Sequence, residues 1–269
     1  MRRPAYDQSW PESWKLSHQY DELEIGNSRQ NPGYTYQYEI RRGWALRALE
    51  ELVPRGTYVL DVAGASGNFT LPLAEKGYRV VWNDLRDDLA EMVRLKHERG
   101  EVEYAPGDIF SYREQWAERF DAVLATEIIE HVAHPDWFLV CLAGMLKPGG
   151  WLFVTTPNGR YFRNNLPRFS DCPDPSAYES VQFKPNSDGH IFLLDCEEMR
   201  ALAANAGLTV ERIQLATNPL TCGHVKLSYL LPYLPAVMVR ALEATTQKFP
   251  RLMRERIHSQ MVACLHKPK

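Results

Sequence analysis

Cysteine is scarce in this chain. The five present, Cys141, Cys172, Cys196, Cys222 and Cys264, are odd in number, and no two have Cys-x-x-Cys spacing. That excludes a disulfide framework and a cysteine-built zinc site. Reduced thiols and a cytoplasmic location are the expectation. An excess of one charge is also missing: 31 Lys and Arg face 34 Asp and Glu, for a net charge of −3. No global field draws the chain to nucleic acid, and no nucleic-acid partner is expected. Long apolar runs are absent. The most apolar late stretch, 227–234, is short and is broken by Pro232 and Pro235, far from the roughly 18 residues of a membrane span. The first residues, Met1-Arg2-Arg3-Pro4-Ala5-Tyr6-Asp7, hold no apolar stretch resembling a signal-peptide core. Repeats and low-complexity tracts are lacking too. What remains is ordinary for a folded protein: 269 residues, 45% hydrophobic and 24% charged, enough for one large domain with an embellishment.

Residues 1–35 read as an aromatic arm. Tyr6, Trp10, Trp14, Tyr20 and Tyr34 sit among Pro, Asn, Ser and Gly, and disordered tails are poor in aromatics. Residues 36–52 carry a helical stripe of Ile40, Trp44, Leu46 and Leu49, ended by Pro54. Strands then alternate with helices. Strands are expected at 58–62, 79–83, 102–105, 120–126 and 151–155, and helices at 68–76, 86–96 and 135–146, with Lys147-Pro148-Gly149-Gly150 as a turn before the fifth strand. The fold class is therefore α/β: a Rossmann-like, mostly parallel sheet with helices on both faces. Residues 157–193 show no period and read as a long loop, functional or disordered. A helix at 197–206 and a strand at 208–215 follow, and 259–265 reads as a last strand. The core is thus assigned to 36–217, a helical insert to 218–256, and the final strand to 257–269. Leu230, Leu231, Leu234, Val237, Val239 and Leu242 make the insert apolar, with Lys248, Arg251 and Arg254 beside them. A lid, a dimer face and peripheral membrane contact are all compatible with that composition; the oligomeric state stays open.

The expected chemistry gathers at the strand ends, where open α/β sheets bind ligands. Asp61 closes the first strand. Ala63, Gly64, Ala65, Ser66 and Gly67 make a loop slim enough for a ligand to lie against its backbone. Asp84 closes the second strand, where a carboxylate can accept from both ribose hydroxyls. Asp108 follows the third and can accept from an adenine amino group, with Ile109 beside it to cover the ring. A dinucleotide site would carry G-x-G-x-x-G, which Ala63-Gly64-Ala65-Ser66-Gly67 does not match, and Asp61 would repel a pyrophosphate. S-adenosylmethionine (SAM), a sulfonium, tolerates a carboxylate there.

The run 59–70 resembles motif I of class I SAM-dependent methyltransferases, especially those similar to ubiquinone and menaquinone biosynthesis enzymes. Residues 80–85, 120–132, 146–150 with 155–158, and 189–192 resemble further motifs of that group, in order. The resemblance covers about 36–215 and the last strand. It implies a seven-stranded sheet with one antiparallel strand near its end, and SAM as cofactor. By position it implies that the loop from Asp61 to Gly67 lines SAM, that Asp84, next to Leu85, binds ribose, that Asp108 meets the adenine end, and that Thr126 meets the methionine side. Ala65 departs from the family's usual glycine, and its methyl narrows the approach.

Methyl transfer is an in-line displacement, and a hydroxyl acceptor benefits from a general base. If 127–131 is helical, Glu127, Glu130 and His131 share a face. Three interpretations stay open. His131 or His190, with Glu127 nearby, takes a proton; Glu127, Glu130, His131 and His190 hold a divalent cation; or the group is structural. The pattern is similar to metal-dependent small-RNA 2′-O-methyltransferases and to some quinone O-methyltransferases, although a metal is not expected. His134, His224 and His258 read as surface or loop histidines. Tyr34, Tyr36 and Tyr38 can close over the ligands, and Arg160, Arg163 and Arg168 can grip an acidic acceptor. The expected activity is O-methylation of a small-molecule hydroxyl, on a saccharide or lipid-linked intermediate, with a quinone-like ring or a nitrogen as the alternative. A SAM-binding subunit without catalysis is the expectation from another class.

Overall fold

The computed structural model of the chain describes residues 1–26, 30–182, 189–224 and 226–269. Its centre is a seven-stranded sheet in the order β3-β2-β1-β4-β5-β7-β6. The strands are β1 (Tyr58–Val62), β2 (Arg79–Asn83), β3 (Glu101–Tyr104), β4 (Phe120–Thr126), β5 (Leu146–Pro157), β6 (Thr209–Ala216) and β7 (Gln260–His266). The central strands are buried on both faces, so their sequences are nearly continuous apolar runs. Pairing is parallel from β3 across to β5, and β7 alone runs antiparallel to both of its neighbours. The order reverses between β1 and β4: the chain winds outward through β2 and β3, then returns to the other side of β1. The carboxyl ends of β1 and β4 therefore open a crevice.

Two layers of helices cover the sheet. On one face α2 (Pro32–Leu52) and α3 (Thr70–Glu75) pack Ala45, Leu49, Leu73 and Ala74 against Val59, Val80 and Phe153. On the other, α5 (Pro135–Met145) and α6 (Cys196–Asn205) pack Phe138, Leu142, Met199 and Leu202 against Leu60, Val123 and Val154. Leu49 is wholly buried, a contribution of about 2 kcal/mol from its area. Asn31 caps α2 through the Tyr34 amide, with Pro32 in the first turn, and a capping box of Asp195 and Glu198 starts α6.

The structure corrects several local expectations. The N-terminal stretch is not irregular: it folds as α1 (Glu12–Glu24), and α2 begins at Pro32, ahead of the expected 36. The side chains that α1 buries, Ser17 and Asp21, are polar, so no apolar stripe announces it. Lys147-Pro148-Gly149-Gly150 does not separate α5 from a strand; it lies within β5, at a register shift against β4. Between β6 and β7, a 3-10 stretch (Lys226–Tyr233), α7 (Ala236–Thr246) and α8 (Arg251–Ile257) make up the helical region. The remaining helix, α4 (Leu89–Lys96), lies against the edge of the sheet through Ala90 and Val93, beside Trp82. Among the described residues, no helix is long and apolar enough to cross a membrane.

Candidate active site

A cavity of about 1050 Å³ opens at the strand ends. Its strand-end wall is built from Ala63, Gly64, Ala65, Asp84, Leu85, Asp108, Ile109 and Thr126. Eight of the ten positions expected to meet the cofactor are therefore at the cavity. Asp61 and Gly67 are not on its wall. Asp61 lies fully buried beneath the loop, where its Oδ2 accepts from Thr70 Oγ1 at 2.5 Å and its Oδ1 has no partner among the described residues. Burial pushes this carboxyl up to about 7, further raised by Asp84 and opposed by the Thr70 hydrogen bonds. Gly67, at φ +76°, packs on Val93 on the far side of the loop.

Sterics explain the slim loop. A Cβ on Gly64 would stand 2.6 Å from Trp82 Cδ1, and Trp82 Nε1 donates to the Ala65 carbonyl at 3.0 Å. Ala63 and Ala65 both hold left-handed backbone, at φ 54° and 42°, a conformation that costs a non-glycine residue energy. Asp84 is almost wholly buried. Its carboxylate accepts from the Ala65 and Arg86 amides at 2.9 and 3.0 Å, and pairs with the Arg86 guanidinium at 3.0 Å. Asp108 caps the turn after β3 through the Phe110 amide.

The opposite wall carries His131 and His190, with ring centroids 4.8 Å apart and edge to face. The Ile191 amide donates to the Glu130 carbonyl at 2.7 Å and pins the 189–192 segment there. Residues 127–131 are not one helical turn presenting three side chains. Glu127 has φ 52°, and a single 3-10 turn spans Ile129–His131. Glu127 faces the cavity, but its carboxylate accepts from Arg41 Nη1 at 2.9 Å and Thr155 Oγ1 at 3.0 Å. Glu130 is wholly buried; Thr156 Oγ1 donates to its Oε2 at 2.9 Å, and its Oε1 has no hydrogen-bond partner among the described residues. Burial, reinforced by Glu127, holds this carboxyl well above its ordinary range. Donor atoms of Glu130, His131 and His190 lie within 4.8 Å of one another. Glu127, the fourth residue of the expected ion set, stands outside that cluster.

Three features of the cavity escaped the sequence. Arg41 brings a buried cation to the wall beside Glu127. The cavity side of α1 contributes Leu16, Ser17, Tyr20 and Glu24. Lys96 locks α1 to the loop: wholly buried, it donates to Asp21 Oδ2 at 2.6 Å, the Ser66 carbonyl at 2.7 Å and Asn68 Oδ1 at 3.1 Å. Its polar partners, far apart in the chain, left no periodic signal.

Other expected site residues lie elsewhere. Arg160 pairs with Asp195, Glu197 and Glu255, and Arg168 with Asp195 and Glu198; both brace α6 and neither reaches the cavity. Arg163 donates to the His224 carbonyl. Tyr38 lines the cavity, whereas Tyr34 donates to Glu24 and the buried Tyr36 hydroxyl has no partner. His258 is not a surface residue: it is wholly buried, its Nδ1 faces the Arg254 carbonyl at 2.9 Å, and burial lowers its affinity for a proton.

A doubly wound sheet with a slim first loop and acidic strand ends defines a nucleoside-binding α/β protein. A family model described as "Methyltransferase domain" matches residues 35–213. The chain belongs to that family, with the class I SAM-dependent methyltransferases. It is similar to the ubiquinone biosynthesis O-methyltransferase of Xanthomonas axonopodis pv. citri (strain 306), 37% identical over 165 residues that cover 60% of this chain and 66% of the relative. It is also similar to the mitochondrial ubiquinone biosynthesis O-methyltransferase of Mus musculus, 36% identical over 111 residues, 38% of this chain and 29% of the relative. The match thus spans under a third of the mitochondrial relative's length and just under two thirds of the bacterial one's. The fold is shared with Phospholethanolamine N-methyltransferase 2 of Haemonchus contortus, solved with phosphomonomethylethanolamine and S-adenosylhomocysteine, at TM-score 0.61, 19% identity, 98% of this chain and 60% of that one.

Proposed function

We propose that the chain moves a methyl group from SAM to a hydroxyl of a small molecule. The observation that carries this proposal is one cavity with two unlike walls: a slim backbone loop with Asp84 and Asp108 on one side, and the His131–His190 pair on the other. SAM, when bound, supplies an electrophilic methyl carbon. Gly64 and Ala65 would let it lie against the loop backbone, Asp84, now paired with Arg86, would hold its ribose hydroxyls, and Asp108 would meet its adenine end. Arg41 meets the donor's carboxylate, and Thr126 its methionine chain. His131 or His190 receives the acceptor's proton as the oxygen attacks. Glu127, held by Arg41 and Thr155, is a positioning residue in this scheme. The relatives' names support a hydroxyl on a quinone-like ring over the saccharide or lipid-linked acceptor expected from sequence; a nitrogen acceptor is the alternative.

The Glu130, His131 and His190 cluster favours a second reading, in which a divalent cation sits among the three. Its donors, one carboxylate and two imidazoles, suit zinc or a similar ion, and the partnerless Glu130 Oε1 offers a buried ligand atom. The ion would polarise the acceptor hydroxyl and make its proton easier to lose.

The test is radiolabelled methyl transfer from SAM across catechols, monosaccharides and amines, with and without a chelator. Transfer to catechol that survives chelation supports the histidine base. Transfer abolished by chelation and restored by zinc or magnesium supports the ion. Transfer to amines alone overturns the hydroxyl. Tight S-adenosylhomocysteine binding with no transfer to any acceptor supports a non-catalytic SAM-binding subunit.

A further inference from the structure

We propose that residues 229–256 form a membrane-surface element that seats the protein on an anionic bilayer. Among the described residues, half of the exposed large apolar side chains fall between 229 and 253. Tyr233 is 75% exposed, Leu252 70% and Val237 64%. Helix α7 leaves exposed a set of apolar side chains that an ordinary surface helix would bury. Its buried positions are Val239 and Glu243; its exposed ones are Val237, Met238, Ala241, Leu242 and Ala244, with Arg240 and Thr245 among them. A packed core does not account for that set, because the buried Glu243 is the residue anchored to the body through Thr221 and the Asn218 amide.

Charge selects the occupant. The segment contains Arg240, Lys248, Arg251, Arg254 and Arg256 but only two acids, Glu243 and Glu255. Both acids are buried, with Glu255 taken by Arg251 at 2.6 Å and Arg160 at 3.2 Å. The exposed charge of the segment is therefore all positive, in a chain whose net charge is −3. Exposed apolar side chains sharing one segment with exposed cations match an acidic lipid surface: the former would enter the headgroup region and the latter meet the phosphates. A second copy of the chain is a poorer match, since a two-fold interface would set these cations against themselves. The inference is independent of the proposed acceptor.

The test is co-sedimentation of the full chain with vesicles of phosphatidylcholine alone and of phosphatidylcholine mixed with phosphatidylglycerol. The expected result is binding to the mixed vesicles only, weakened by salt. The double variant Val237→Ser, Leu242→Ser weakens it by about tenfold or more, and Arg240→Glu with Lys248→Glu by a similar factor. All four residues are exposed, so circular dichroism and Tm stay at wild-type values. No binding to the mixed vesicles overturns the proposal, as does binding that neither variant weakens or that is equal on neutral vesicles. A lipid-free dimer dissolved by the serine variant overturns it in favour of a self-association face.

Discussion

The two walls of the cavity are built by opposite means. The strand-end wall is mostly backbone and engaged carboxylate: Gly64 fits because Trp82 leaves no room for a Cβ, and Asp84 is satisfied by two amides and Arg86. The histidine wall depends on a wholly buried acid, Glu130, whose carboxyl burial holds above its ordinary range, beside two imidazoles. The first arrangement suits holding a ligand of fixed shape. The second suits moving a proton or gathering an ion, because it brings one carboxyl and two imidazoles together.

Substitutions that separate affinity from turnover sharpen this contrast. The largest effect is expected at the histidine wall. His131→Ala or His190→Ala lowers kcat by about a hundred- to ten-thousand-fold while S-adenosylhomocysteine affinity, read by calorimetry, changes by less than about twofold. Unchanged turnover in both variants would remove the histidines from the chemistry.

Next is the buried acid under the loop. The Asp61 carboxyl titrates at about 7 in the folded protein, above its unfolded value of about 3.9. A raised acid opposes folding once ionised, so stability is full at low pH and is lost as pH rises through 7. The expected loss is roughly 3 kcal/mol between about pH 5 and about pH 8. Asp61→Asn removes that contribution, leaving those of Glu130 and the other raised carboxyls and the opposite one of the buried His258 and of His224; urea unfolding of both proteins across the range isolates the Asp61 part by difference. A stability difference between wild type and Asp61→Asn that does not shift against the wild type as pH rises over this interval would contradict the burial of Asp61 as its cause.

The smallest effect is at the left-handed alanines. Ala65→Gly relieves about 1 kcal/mol of backbone strain, partly offset by the freer unfolded chain, so Tm rises by about 1–2 °C. A lower Tm would mean that the alanine methyl contributes packing that outweighs its conformation.

Legibility in the sequence follows the same division. The strands were readable because burial on both faces makes them apolar runs, and β1, β2 and β4 fall at their expected bounds. The strand-end positions followed from those bounds, since an acid after a strand must sit at the sheet's carboxyl edge. The histidine wall was half readable. His131 and His190 do meet, but the helical turn expected at 127–131 fails because Glu127 takes a left-handed backbone. Arg160 and Arg168 looked like substrate cations, yet sequence proximity could not reveal that α6 would bring them Asp195 and Glu198. Helix α1 and Lys96 were hidden for a related reason: their buried contacts are polar and span 75 positions of the chain. Apolar periodicity reports only contacts that exclude water through hydrocarbon.

Calorimetric titration of S-adenosylhomocysteine into the wild type and Asp84→Ala tests the central claim, that the strand-end wall holds the cofactor. The predicted result is saturable binding to the wild type, weakened about ten- to a hundredfold by the substitution, as expected for hydrogen bonds lost from a buried carboxylate. Binding that Asp84→Ala leaves unchanged, or no binding to the wild type, would contradict it.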